Sequence, residues 1–273
     1  MIAVELQKLF RRPRTWLSIG LLVTFPTLVA VLVAITGVGP RPGQGPAFLS
    51  AVLSNGSLFS VAALAIVLPL FLPVAVAVMA GDSIAGEAQG GTLRYLLIRP
   101  VGRSQLLVAK LIAIFVFVVV SVVIVAGSGF IVGKLLLGKQ PLTAATSVTT
   151  ISGSELSPGQ IAWRTVIAIG YVAFSMLGVA ATALLLSTLT DSPLSAGLGA
   201  LAVLIGSSVL LTLDAANAIK PYLPTRYWLA FVDLFRDPIL WRDVQRGMLL
   251  QLGYVIVLLG AAWANFQTKD ITS

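Results

Sequence analysis

The sequence predicts an all-α integral membrane protein with six transmembrane helices, an N-terminal amphipathic interfacial helix, and a short cytoplasmic helix between helices two and three. Three observations predict the membrane class. Of 273 residues, 58% are hydrophobic and only 10% charged, against about 25% charged in an ordinary soluble domain. A bilayer core roughly 30 Å thick needs about 20 residues per helical crossing, and the apolar residues gather into runs of that size. The 14 Pro and 25 Gly lie among them, a mixture that membrane helices tolerate. A soluble two-domain protein is excluded.

Residues 1–14 form the interfacial helix. Ile2, Leu6, Leu9 and Phe10 recur at helical spacing, with Glu5, Lys8 and Arg12 opposite. The expected arrangement lays the apolar face in the headgroup boundary and turns Lys8, Arg11 and Arg12 toward anionic lipid, before the chain bends into the bilayer at Pro13. Residues 15–35 are uncharged and make the first crossing. A signal peptide is the rival reading, because Arg11, Arg12 and Arg14 precede the run. The run nevertheless exceeds the roughly 7–15 residues of a signal core.

Residues 37–55 carry three Pro and four Gly and read as a loop. Residues 58–80 make the second crossing, with Pro69 and Pro73 each deleting a backbone donor, so that a kink or break marks this helix as a hinge. Residues 81–103 form a polar segment discussed below. The third crossing, residues 106–132, starts with Lys110 placed to snorkel back to water. Residues 134–161 are a Thr/Ser/Gly-rich loop.

The fourth and fifth crossings, residues 166–189 and 194–213, are joined by Thr190-Asp191-Ser192-Pro193. That is the grammar of a helix start, with Asp191 or Ser192 as N-cap and Pro193 in the first turn. In residues 214–247, Tyr222, Tyr227, Trp228, Phe231, Phe235 and Trp241 interleave with Arg226, Arg236, Asp237, Arg242 and Asp243. Aromatics among charges at a membrane boundary predict one or two outer interfacial or re-entrant helices. Residues 248–266 make the sixth crossing.

Four basic residues precede the first crossing and one follows it, which puts the N-terminus, and with six crossings the C-terminus, in the cytoplasm. Over the whole chain the Lys and Arg divide evenly between the two sides, so orientation rests on that first helix. The formal charge of +8 reflects helix-end placement facing anionic headgroups and implies no nucleic-acid partner.

The chemistry available is narrow. There is no Cys and no His, which removes disulfides, thiolate catalysis, and the commonest general base and metal ligand. No catalytic or metal-binding residues are expected. No Gly-x-x-x-x-Gly-Lys-Ser/Thr phosphate loop is present, and Gly138-Lys139-Gln140 lacks its glycine and hydroxyl. This chain therefore has no nucleotide site of that kind.

The most informative stretch follows the second crossing. Gly90-Gly91 breaks the helix, Thr92 can cap a new one, and Pro100 ends it. Leu93, Leu96 and Leu97 share one face, while Arg94, Arg99 and Arg103 crowd its ends. A short helix with an apolar ridge and basic rim suits a groove on a soluble partner; an ordinary capped loop is the plainer alternative.

This stretch resembles the segment between helices two and three of ABC-2 type transporter permeases, in which an acidic residue, Gly-Thr-Leu, a Leu pair, Pro, Arg and a later Lys recur. Here those are Glu87, Gly91, Thr92, Leu93, Leu96, Leu97, Pro100, Arg103 and Lys110. The basic amphipathic start and the close Asn265-Phe266-Gln267-Thr268-Lys269-Asp270-Ile271 are similar to such permeases as well. Ala88 departs from the pattern, since many relatives continue with further charges there.

The resemblance implies the membrane subunit of an ATP-driven exporter, not itself an enzyme, in the cell membrane of a bacterium or archaeon. Its partners would be ABC ATPase subunits, which carry the ATP and Mg, and a second permease, either a copy or a paralogue. The coupling helix would touch the ATPase through Glu87, Gly91, Thr92, Leu93, Arg94, Leu96, Leu97, Pro100 and Arg103. Cargo would be amphiphilic, drug-like, lipid or peptide, with Phe59, Phe71 and Ser208 as candidate path residues. Small residues along residues 170–178 and 197–206 suit either packing within the chain or a seam between permeases.

Two other classes compete. An ion-coupled secondary transporter places ionisable residues within the membrane, and the cores of the six predicted helices hold none. A lipid-modifying enzyme needs clustered carboxylates or His and Cys; Asp233, Asp237 and Asp243 cluster, but Arg236 and Arg242 beside them suggest ion pairs. A non-catalytic membrane assembly protein is a further alternative.

Overall fold

The computed structural model describes residues 1–36, 56–91, 102–137, 148–149 and 155–268. In chain order the helices are α1 (Ile2–Arg11), α2 (Pro13–Thr36), α3 (Phe59–Val67), α4 (Phe71–Gln89), α5 (Arg103–Val132), α6 (Pro158–Leu189), α7 (Pro193–Thr212) and α8 (Trp241–Thr268). A π turn, Gly133–Leu137, extends α5, and Val148–Thr149 pairs antiparallel with Glu155–Leu156. Among the described residues six helices are long and apolar enough to cross a membrane: α2, α4, the extended α5, α6, α7 and α8.

The hub of the bundle is α6, which packs against α8, α4, α7 and α5. α2 lies at the edge, against α5, and buries only a narrow stripe of Thr15, Ile19, Leu22, Pro26 and Ala30. These residues recur every three or four positions, the spacing of one helix face. Leu17, Leu21, Leu28, Leu32 and Ile35 are exposed on the other side of α2, as a lipid-facing helix requires.

Several boundaries differ from the sequence reading. The second crossing is two helices: α3 ends at Val67, Leu68–Leu70 interrupt the ladder, and α4 begins at Phe71. Pro69 sits in that interruption. Pro73 occupies the first turn of α4, where its missing N–H has no partner to lose, so the break belongs to Pro69. α4 then runs on to Gln89, making residues 81–89 of the coupling segment a continuation of the membrane helix. It stops at Gly90, followed by Gly91 at φ 65°, a left-handed conformation that favours glycine.

α6 begins at Pro158, eight residues before the predicted start of the fourth crossing. Ser157 accepts from the Gln160 amide while the Gln160 side chain accepts from the Ser157 amide, a complete capping box. At the next connection Ser192 is the N-cap of α7 and accepts from the Ser195 amide. Residues 214–240 carry 3-10 turns at Asp214–Ala216, Lys220–Tyr222 and Trp228–Phe235, and α8 starts at Trp241, seven residues before the sixth crossing was expected.

Candidate functional site

Two of the three charged residues of α1, Glu5 and Lys8, turn toward the bundle. Glu5 is buried and Lys8 half-buried, and both point into the bundle, where they meet Glu87 near the end of α4 and Lys110 in the second turn of α5. Lys8 Nζ lies 2.5 Å from Glu87 Oε1, and Lys110 Nζ 2.7 Å from Glu87 Oε2. Lys110 Nζ lies 3.4 Å from Glu5 Oε2, and Lys8 Nζ 3.6 Å from Glu5 Oε1. The four groups close an alternating ring, acid to base to acid to base, with no net charge. It encloses a cavity of about 30 Å³.

Lys110 therefore does not snorkel. Its side chain is 2% exposed and that of Glu87 4%. Charges this deep are tolerated only when paired and hydrogen-bonded, and each ring member has two opposite neighbours. One turn further along α1, Arg12 pairs with Asp82 of α4, and Arg14 lies 3.7 Å from the other Asp82 oxygen. Lys8 with Glu87 and Arg12 with Asp82 thus tie α1 to α4 in two successive layers. Leu6 and Phe10 are half-buried and Arg11 is exposed; Phe10 also packs its ring on Trp16 and accepts from the Trp16 indole.

Between those two layers α4 has an unusual turn. The amides of Ile84 and Ala85 both donate to Ser187 Oγ of α6, at 3.1 and 2.9 Å, and that hydroxyl donates to the Gly81 carbonyl at 2.7 Å. Ser83 Oγ donates to the Ala80 carbonyl. Side-chain oxygens thus enter the backbone ladder between Asp82 and Glu87, which loosens a helix locally. The same stretch lies hard against α7: a Cβ added at Gly81 would come 2.8 Å from the Gly197 amide nitrogen.

The far end of the coupling segment is anchored too. Arg103, at the start of α5, donates to the carbonyls of Phe266 and Gln267 at 3.1 and 2.8 Å, capping the last turn of α8 with a cation. Ser104 Oγ receives the Trp263 indole and the Gln267 amide beside it. Arg103, expected at the ATPase surface, has these intramolecular partners. Thr92, Leu93, Arg94, Leu96, Leu97 and Pro100 lie outside the described residues; Glu87 and Gly91 lead into them and Arg103 follows.

Of the three candidate path residues, Ser208 lines a cavity. It borders a space of about 310 Å³ beside the α3–α4 break, with Pro69, Pro73, Leu204 and Trp228. Phe59 is buried where α3 meets α5, its backbone against Gly129. Phe71 stacks on Phe25 of α2 with ring centroids 4.3 Å apart. Close helix packing holds the first and an aromatic pair the second. Of the small residues, Gly178, Gly197 and Gly199 are used within the chain, against Gln251, α4 and Leu186.

Sequence reasoning missed Arg164. It is buried in α6 and donates to the carbonyls of Leu234 and Arg236 at 3.0 and 2.9 Å. Other helices grip the same outer segment: Tyr171 donates to Tyr227 O, Gln251 to Pro224 O and Tyr254 to Tyr222 O, while Ser207 pairs with Thr225. The 3-10 turns leave carbonyls that no α-helical ladder satisfies, and side chains of α6 and α8 supply the donors. Asp233 pairs with Arg236 at 2.8 Å, as its neighbourhood suggested, and no group of three or more acidic residues able to hold a metal occurs among the described residues.

Six described helices long and apolar enough to cross a membrane, with a basic helix ion-paired at their edge, define a multi-pass membrane protein. A family model of ABC-2 family transporter proteins matches residues 1–189, from the basic helix through α6. The chain belongs to that family. It is a multi-pass transmembrane subunit of an ABC transporter, not catalytic itself, and works with separate ABC ATPase subunits. No curated protein matches the chain strongly enough to count as a relative.

Proposed function

We propose that the protein exports a small amphiphilic, drug-like, lipid or peptide cargo from the cytoplasm, as one half of a paired permease above two ATPase subunits. The observation that carries this reading is the double anchorage of the coupling segment. Glu87 fixes its first side to α1 and α5, and Arg103 fixes its second to the end of α8. A force applied between those anchors reaches four helices at once, which is what a transmission element needs. In this reading both termini and the charge ring lie on the cytoplasmic side of the cell membrane of a bacterium or archaeon, and ATP and Mg act in the partner.

A second permease, copy or paralogue, is supported by α7, which exposes Val203, Ile205 and Val209 while its other face packs on α4 and α6. Ser208 and the cavity by the Pro69 break open on the same side. The rival ion-coupled carrier draws no support from the buried charges. They form a neutral ring at one end of the bundle, whereas coupling-ion sites lie near the bilayer midplane.

The test is ATP hydrolysis by the full complex in liposomes. Leu96→Asp with Leu97→Asp is expected to abolish stimulation by the permease while insertion is retained. Unchanged copurification and turnover would reject the coupling assignment.

A further inference from the structure

Beside the ion pairs lies a cleft of about 910 Å³ with two chemically different ends. Its floor is α4, from Val78 to Gly90. One wall is the joint between α1 and α2, with Arg12 and Arg14; the other is the start of α7. Arg14 is 73% exposed at the rim, and two guanidinium groups share the single carboxylate of Asp82. Each guanidinium has five N–H donors, so the pair keeps a positive charge and spare donors facing the cleft. The N-terminus of the 20-residue α7 adds partial positive charge opposite.

From that end, Leu194, Leu198 and Leu201 line the cleft along α7, descending about 10 Å at 1.5 Å per residue. Leu198 is 56% exposed. A polar cationic mouth at the helix ends above an apolar wall running into the bilayer matches one kind of molecule. We propose that this cleft binds an anionic phospholipid, its phosphate against Arg12 and Arg14 and one acyl chain along Leu194, Leu198 and Leu201. An acidic peptide would use the mouth and leave the apolar wall in contact with nothing. The site requires only that the bundle spans a bilayer; it does not depend on the export reading or on orientation.

The test uses the full-length chain in detergent, offered equimolar phosphatidylglycerol and phosphatidylcholine and read by native mass spectrometry. The wild type is expected to retain phosphatidylglycerol preferentially, and Arg14→Gln to lower that preference roughly fivefold, the effect of one basic residue near an anionic surface. Leu198→Asn, at an exposed position, is expected to weaken retention of both lipids. Lys134→Gln, a basic residue in the turn after α5, is expected to leave the preference unchanged. Soluble glycerophosphoglycerol is expected not to displace the lipid. The proposal is overturned if Arg14→Gln behaves as wild type, if Lys134→Gln loses as much preference, or if Leu198→Asn has no effect. Displacement by glycerophosphoglycerol would reduce the site to one for a phosphate group and overturn it equally.

Discussion

Lys110 Nζ lies 2.7 Å from Glu87 Oε2, joining two side chains that are both almost fully removed from solvent. The pair bridges α4 and α5 on either side of the coupling segment, and Glu5 and Lys8 complete it from α1. Three helices therefore meet through charge at a place where apolar packing would have let them slide.

Lys110→Met leaves two buried carboxylates sharing Lys8. The expected cost is ~3–5 kcal/mol, the usual penalty for removing one partner of a buried pair, seen as a lower melting temperature of the purified chain. The double variant Lys110→Met/Glu87→Gln is expected to lose less than the two single losses together, because the partners are coupled. Strict additivity would separate the two residues energetically.

Ser187→Ala removes a hydroxyl that two amides and one carbonyl of α4 share. A loss of about 1–3 kcal/mol is expected for groups left unsatisfied in a buried place. Hydrogen exchange at Ile84 and Ala85 should speed up. Equal protection in both proteins would mean the α4 ladder closes by itself.

Gly81→Val forces a branched side chain against the Gly197 backbone. Because backbone cannot swing aside, α4 and α7 must separate, at ~1–3 kcal/mol or more. ATP-driven transport by the assembled complex is expected to fall more than its ATPase activity, since the change lies in the bundle. Transport at the wild-type level would show that the crossing tolerates a wider gap.

Arg164→Met strips the donors from Leu234 O and Arg236 O. The outer segment should loosen while the six spans stay in place. An Ala230→Cys reporter, buried in the parent protein, is expected to react with a maleimide several-fold faster in this background. An unchanged rate would assign the segment's position to Tyr171 and Gln251.

Single cysteines at Gln44 and Gln89, in a chain with no background thiol, are expected to label from opposite faces of the membrane. Labelling from one face alone would overturn the arrangement of the first two crossings.

Apart from the split second one, the spans were legible because each holds a long, nearly uncharged run, and the stop at Gly90-Gly91 and the start at Ser192-Pro193 were legible because local chemistry determines them. The early start of α6 was hidden by Arg164: a charge reads as loop until the carbonyls that receive it, 70 and 72 residues away, are known. The Ser157-Pro158-Gly159-Gln160 capping box was the signal that would have corrected it. Lys110 was misread for the same reason, since Glu5 lies 105 residues distant and periodicity carries no information at that range. Glu5, Lys8 and Arg12 were correctly grouped on one face of α1. What that face meets is a tertiary fact.

The outer segment is held through its main chain. The helices grip oxygen atoms that every residue type carries, at positions 222, 224, 227, 234 and 236. Its buried side chains, Phe231 and Leu234 among them, add apolar packing to that grip. The exposed side chains of a region held in this manner, Tyr222 and Leu229 among them, can be rewritten while it still settles in the same berth, leaving the rim of the bundle open to new chemistry.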